Sequence, residues 1–234
     1  MVVERYPGTE KKESGGMNNN VLGLMVSYGY VFGILLLGEG IRKVWRLSPE
    51  FTRKFVHIGV GNWYILALLF FTSKVFALIP PVTFIVLNYA SYRWKIFKAM
   101  ELQESGNLGT VYFPISLSIL VWLTWDTVPY LGGVGIMAMT WGDGFAAIVG
   151  QRWGRRVYSI LGNRKSIEGS LAMFLFSFLA ITPFLTAFAP LGFADAALRA
   201  ILLAGVAAGV EAVSGAGLDN ILVPLLTSGA ALFF

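Results

Sequence analysis

The chain alternates between long apolar runs and short connectors rich in Lys and Arg. Residues 21–38, "VLGLMVSYGYVFGILLLG", carry no charge, and about 17–25 such residues cross a bilayer as one helix. Apolar segments fall at 21–41, 55–72, 74–90, 110–125, 128–149, 168–189, 198–213 and 219–234. They predict an all-α, polytopic membrane protein with seven or eight transmembrane helices, the last of them short. Segment 198–213 is so rich in Ala and Gly that close packing on a neighbouring helix is expected there rather than lipid exposure. No internal repeat and no second domain is visible, so 21–234 reads as a single transmembrane domain. Residues 1–20 include "SGG" and "NNN" and lack the apolar core of a signal peptide, so they read as a disordered tail.

Composition agrees with the pattern. Of 234 residues, 56% are hydrophobic and 13% are charged, against about 25% charged in a soluble domain. The absence of cysteine excludes thiol chemistry and thiolate metal sites, and the single histidine, His57, excludes a histidine-cluster metal site. Nothing in the pattern points to a nucleic-acid partner.

Charge gives the sequence a direction. Of the 18 Lys and Arg residues, 13 lie in three connectors, 42–54, 91–109 and 150–167. The alternate connectors hold Lys74 and Arg199. By the positive-inside rule the three basic loops face the cytoplasm and the N-terminus lies on the other side.

That topology places the polar groups of the spans by depth. Lys54 and His57 open the second span, and Asp143 lies in the final third of the fifth. Glu168 opens the sixth, Glu211 closes the seventh, and Asp219 and Asn220 open the eighth. All fall at the predicted cytoplasmic ends. A transport pathway would place ionisable groups near the midplane or at both ends. A one-sided layer of carboxylates beside basic loops instead matches the two halves of a magnesium–nucleotide site. Mg²⁺ takes one or two carboxylates plus phosphate oxygens, while Lys and Arg neutralise phosphate.

Asp143 is the costliest of these residues to insert, at roughly 2.5–3.5 kcal/mol near a helix centre. It is flanked by Gly142 and Gly144. Ala147, Gly150 and Gly154 follow on its own helical face, which is thereby stripped of bulk. Such a face allows close approach of a backbone or a phosphate; ordinary small-residue packing is the plainer alternative. On sequence alone, Asp143→Asn should insert no worse, since an amide is cheaper to bury than a carboxylate.

In "GNRKSIEGS", 162–170, Ser166 is placed to cap a helix beginning at Ile167, with Glu168 in its first turn. The same helix start, beside Arg164 and Lys165, can hold an anion. It is not a Walker A loop. In "EAVSGAGLDN", 211–220, Glu211 and Asp219 flank a Gly-rich turn and could converge on one cation; a polar interfacial turn capped by Asn220 is the plainer reading. His57, in "RKFVH", reads alone as part of a headgroup-facing anchor.

Four stretches carry a resemblance: "RKFVHIGVGN" (53–62), "TWGDGFAAIVGQRWGRR" (140–156), "KSIEGS" (165–170) and "LDNILVP" (218–224). In this order they resemble the phytol kinases, which group with the CTP-dependent dolichol and diacylglycerol kinases. The resemblance runs over roughly residues 50–225. It implies transfer of phosphate from CTP to phytol or a related isoprenoid alcohol, with a divalent metal such as Mg²⁺. On that basis Lys165, Ser166 and Arg152, with Gly142 and Gly144, are expected to bind nucleotide. Asp143, Asp219 and Glu211 are expected to hold the metal, Glu168 or Asp143 to take the hydroxyl proton, and Lys54, His57 and Asn220 to assist. The related CDP-diacylglycerol synthases share a similar Gly-Asp motif, but their long C-terminal signature is missing here, which counts against cytidylyl transfer. Diacylglycerol phosphorylation and, from a different class, lipid or anion transport are the remaining alternatives.

Overall fold

A computed structural model describes residues 16–94, 108–160, 163–215 and 217–234. Helix α1 runs Gly16–Trp45, α2 Pro49–Gly61, α3 Trp63–Phe70, α4 Lys74–Trp94, and α5 Gly109–Thr124. The fifth apolar segment is one rod in three pieces: α6 (Pro129–Met137), a π-helical turn (Ala138–Asp143) and α7 (Gly144–Trp153). A hairpin of β1 (Val157–Ile160) and β2 (Asn163–Ser166) leads into α8 (Ile167–Phe188), α9 (Phe193–Val213) and α10 (Asp219–Ala230). Each apolar segment of the sequence thus corresponds to one helical rod, straight or broken. The protein is an all-α membrane protein.

Among the described residues, five helical stretches are long and apolar enough to cross a membrane: Asn18–Trp45, Lys74–Trp94, Pro129–Trp153, Ile167–Phe188 and Phe193–Val213. Pro129–Trp153 is 72% buried in its most apolar window, against 22–39% for the other four. It is the central rod, and the others surround it. Leu36, Leu69, Val86, Leu123, Leu171 and Leu198 point outward around the bundle, an apolar surface that suits lipid and would aggregate in water. Tyr64, Met137, Met139, Met173 and Ile181 are fully buried between the rods.

Several boundaries differ from expectation. Helix α1 begins at Gly16 and its membrane-crossing stretch at Asn18, ahead of the expected 21; residues 1–15 lie outside the described residues, as do Lys95 and Lys98. Helix α2 begins six residues before the expected 55, because Ser48 accepts the Phe51 backbone N–H (3.2 Å) and Pro49 opens the first turn. That start carries Arg53 and Lys54 into the bundle. The rod then breaks between α2 and α3 at Asn62, beside Gly61, where any Cβ would run into Thr140. In α9 the small residues serve one face only. Ala196, Ala200, Ala204 and Ala207 are buried, whereas nothing lies near Gly205 or Gly209.

Prolines inside helices leave carbonyls without their usual donor. Pro114 cannot bond the Thr110 carbonyl, and the Asn88 side chain donates to it instead at 2.7 Å. At the opposite end of the bundle Lys74 pairs with Asp126, joining two connectors.

Candidate functional site

The π turn ends on Asp143 and decides where that side chain goes. A π turn inserts one residue into an α-helix and frees a carbonyl from the regular ladder. Here His57 Nε2 donates to the Met139 carbonyl (3.2 Å) and Ser177 donates to that of Ala138 (3.3 Å). The Trp141 indole N–H bonds Asn62 at 3.0 Å. These contacts lock the turn against α2 and α8.

Asp143 is buried and faces α2. Lys54 Nζ donates to its Oδ2 at 2.6 Å, and His57 Nε2 lies 3.6 Å from the same oxygen. With side chains only 7% and 11% exposed, Lys54 and Asp143 form a buried ion pair between the second and fifth rods. His57 is held inside the bundle, its ring 4.9 Å from that of Phe113, and does not face the headgroups.

The other side of Asp143 opens on a cavity of about 380 Å³. Ala147, Gly150 and Gly154 form one wall, as the bare-face reading expects, with Gly169 of α8 opposite. A Cβ on Gly169 would lie 3.1 Å from the Ala146 carbonyl and 3.4 Å from the Gly150 Cα. Those glycines therefore set how closely α7 and α8 cross. Ser166 caps α8 by accepting the Gly169 N–H at 3.1 Å, and the helix begins at Ile167.

The hairpin brings the basic groups in. Tyr158 pairs in register with Lys165 and bonds Ser170 at 2.6 Å through its hydroxyl. Gly215, on the α9–α10 turn, leaves room for Asn163 to lie against it. Gly217 takes φ 82°, a left-handed conformation suited to glycine, as the chain turns into α10. Lys165 then reaches Glu211, pairing with its carboxylate and donating to its backbone carbonyl at 2.5 Å. Arg164, Lys165, Ser166, Glu211 and Asp219 all line the cavity with Asp143. Among the described residues neither Arg164 nor Asp219 forms an ion pair. Among the described residues, Glu211 Oε2 is buried and has no hydrogen-bond partner.

Other expected residues sit elsewhere. Gly142 packs on Ser177 and Met173 of α8, and Gly144 packs on Ile58 of α2; neither lines the cavity. Arg152 is exposed, its guanidinium 5.4 Å from the Trp153 ring, and Arg164 takes the cavity position instead. Glu168 accepts the backbone N–H groups of Arg155 (3.1 Å) and Arg156 (3.3 Å). It closes the entry to the hairpin and does not line the cavity. Asn220 donates to Asp219 Oδ1 at 2.8 Å. Lys54, weakly marked in the sequence, is the direct partner of Asp143; its place one turn before His57 on a helix was the available signal.

A magnesium ion can be tested against these groups. Asp143, Asp219 and Glu211 share one cavity, but no three acidic or histidine side chains already converge on a metal position among the described residues. The expected trio is thus near-neighbouring rather than assembled. The unpartnered Glu211 Oε2 and the unpaired Asp219 supply hard oxygen donors. Mg²⁺ that shares its shell with phosphate needs only one or two carboxylates. The residues fit such an ion.

Fold and site define an all-α membrane protein with its acidic and basic groups gathered in one cavity beside a broken central helix. The chain is 37% identical over 206 residues to the phytol kinase of Synechocystis sp., covering 87% of this chain and 86% of that one. It is 31% identical to a probable chloroplastic phytol kinase of Triticum aestivum, covering 77% and 66% of the two chains. Phytol kinase 1, chloroplastic, of Arabidopsis thaliana is 27% identical over 87% of this chain and 72% of its own. No family model and no solved structure matches. The chain belongs to the phytol kinase family.

Proposed function

We propose that this protein is a kinase that moves the terminal phosphate of CTP to phytol or a related isoprenoid alcohol, leaving CDP and the lipid phosphate. The observation that carries the reading is the gathering of Arg164, Lys165 and Ser166 with Asp143, Glu211 and Asp219 around one cavity. Family membership supplies the substrate class, and the resemblance of the motifs supplies CTP as donor.

Donor phosphates lie beside the start of α8, where Arg164 and Lys165 meet them. Lys165 has three donors, so it can keep Glu211 while reaching a phosphate oxygen. Mg²⁺ held by Asp143, Asp219 or Glu211 would neutralise phosphate charge. The alcohol oxygen forms the new P–O bond, and the bond from the terminal phosphorus to the bridging oxygen breaks with its electrons leaving on CDP. Of the two carboxylates the sequence offers as base, Asp143 lines the cavity, and it takes the hydroxyl proton. Such transfer depends mainly on positioning and charge neutralisation. By the positive-inside rule the cavity faces the cytoplasm and the N-terminus the other side.

The test offers γ-labelled and α-labelled CTP to the purified protein with phytol, dolichol and diacylglycerol in turn, and labelled ATP in parallel. Label from γ-CTP on phytol is the expected result. Label from α-CTP on the lipid would make the protein a cytidylyltransferase, and unlabelled lipid in every arm would refute the reading.

A further inference from the structure

Two smaller cavities share no lining residue with the large one, and one of the two adjoins it through two contacts. One, of about 50 Å³, is apolar and lies among α1, α3, α4 and α5, walled by Val31, Leu35, Pro81, Phe84 and Leu117. The other, of about 60 Å³, is polar at its rim, with Arg53, His57 and Asn220. Val60, Asn88 and Phe113 line both, so the two lie end to end. On α2 the residues that line them, Arg53, Val56, His57 and Val60, form one helical face that runs from polar to apolar.

Two contacts join this track to the large cavity. His57 lines the track and Asp143 lines the large cavity, and they approach to 3.6 Å. Asn220 lines the track and its neighbour Asp219 the large cavity, bonded at 2.8 Å. The gap at the apolar end has a cause in the chain, because Pro80 and Pro81 in α4 face Pro114 in α5 there. Proline rings take the place of hydrogen-bonded turns, and such helices do not pack straight.

We propose that this track is the acceptor site. It holds the hydroxyl-bearing end of a branched isoprenoid alcohol, with the hydroxyl beside His57 and within reach of Asp143. The inference rests on the kinase reading above and adds where the lipid sits: among α1, α2, α4 and α5, away from the α7–α8 wall that meets the donor. His57 suits the position chemically. Its Nε2 donates to the Met139 carbonyl and lies 3.6 Å from Asp143 Oδ2, so a hydroxyl seated at this ring edge is next to the carboxylate that takes its proton. Size sets a bound on the occupant. At roughly 10–15 Å³ per water-sized occupant, the two cavities take on the order of nine heavy atoms. That accommodates the hydroxyl, the first isoprene unit and part of the second, and the rest of the tail lies in the bilayer. Selectivity therefore falls on the branched, hydroxyl-proximal unit and not on chain length.

A geranylgeraniol analogue carrying a diazirine at the far end of its first isoprene unit, photolysed with the full chain in nanodiscs, reads the position directly. Label on Phe84, Phe113 or Leu117, competed by phytol, is expected; label confined to α8 and α9 overturns the proposal. In parallel, Val60→Phe narrows the junction and should raise the apparent KM for phytol at least tenfold, with the Kd for CTP changed less than twofold. An active Val60→Phe with unchanged KM for phytol also overturns it. Should that variant fail to fold, the labelling of the unaltered protein decides. Wild-type protein that is labelled on α4 and α5 but phosphorylates no alcohol would sink the kinase reading while leaving the lipid site standing.

Discussion

Asp143→Asn is the most informative single change, and the structure alters what it should do. Sequence reasoning treats the amide as cheaper to bury. In the folded protein, however, the carboxylate is the partner of Lys54, whose ammonium is buried 2.6 Å away. Removing one member of a buried pair typically costs about 3–5 kcal/mol, because the remaining charge is left uncompensated. The pair borders a polar cavity of about 380 Å³, which admits water, so the lower end applies, about 3 kcal/mol. Asp143→Asn should therefore lose both stability and activity, and loss of activity alone no longer separates the two roles. A second change separates them. Lys54→Met combined with Asp143→Asn removes both charges and fills similar volume, an exchange that is commonly neutral or better for stability. The double variant should recover most of the unfolding free energy in detergent while remaining inactive. The assays are chemical denaturation of the purified variants and transfer of γ-labelled phosphate to phytol. If Asp143→Asn alone is destabilised by less than about 1 kcal/mol, the pair is not energetically buried as described. If the double variant keeps more than a tenth of the activity, a barrier change under about 1.4 kcal/mol, Asp143 is not needed for transfer.

Lys165→Ala should raise the Kd for CTP at least tenfold, since one charge-assisted contact to phosphate contributes about 1.5–3 kcal/mol; isothermal titration returning an unchanged Kd would remove Lys165 from the site. Glu168→Gln should leave turnover within threefold and lower stability by about 1 kcal/mol, because its carboxylate holds two backbone N–H groups at the hairpin entry. A hundredfold fall in turnover in a folded Glu168→Gln protein would return that residue to the role of base. Because the chain contains no cysteine, single cysteines at Arg46 and Arg155 give clean topology reporters. Both should react with an impermeant maleimide from the cytoplasmic face, and labelling from opposite faces would refute the shared sidedness of these loops.

The span pattern was legible because uncharged runs of bilayer length rarely arise in a chain that folds in water. So was the cap at Ser166, whose spacing to Glu168 marks a helix start. The bare face Ala147–Gly150–Gly154 was also readable from periodicity alone. What escaped was everything set by contact across the bundle. The π turn leaves no local signature in "AMTWGD", since it is held by His57 and Ser177 from other helices. Gly142 and Gly144 looked like phosphate-binding glycines beside an acidic residue, yet their missing side chains make room for α8 and α2. Arg152 and Arg164 are equivalent by charge, and only the hairpin decides which one faces the cavity. Glu168 fitted both a cap-region and a catalytic reading, and its use by Arg155 and Arg156 became visible only with the chain folded.

The Lys54–Asp143 tie also bears on how the protein is made. Lys54 precedes its partner by 89 residues, so at about 5–20 residues per second a ribosome delivers Asp143 roughly 4–18 s after Lys54. Throughout that interval the lysine belongs with the hydrated basic connector that precedes it, and its helix cannot take its final depth. The arrival of the fifth rod supplies the counter-charge and lets α2 settle. The cavity beside Asp143 closes later still, once Lys165, Glu211 and Asp219 have followed, and a chain stalled before Asp143 would stay soft at its second span.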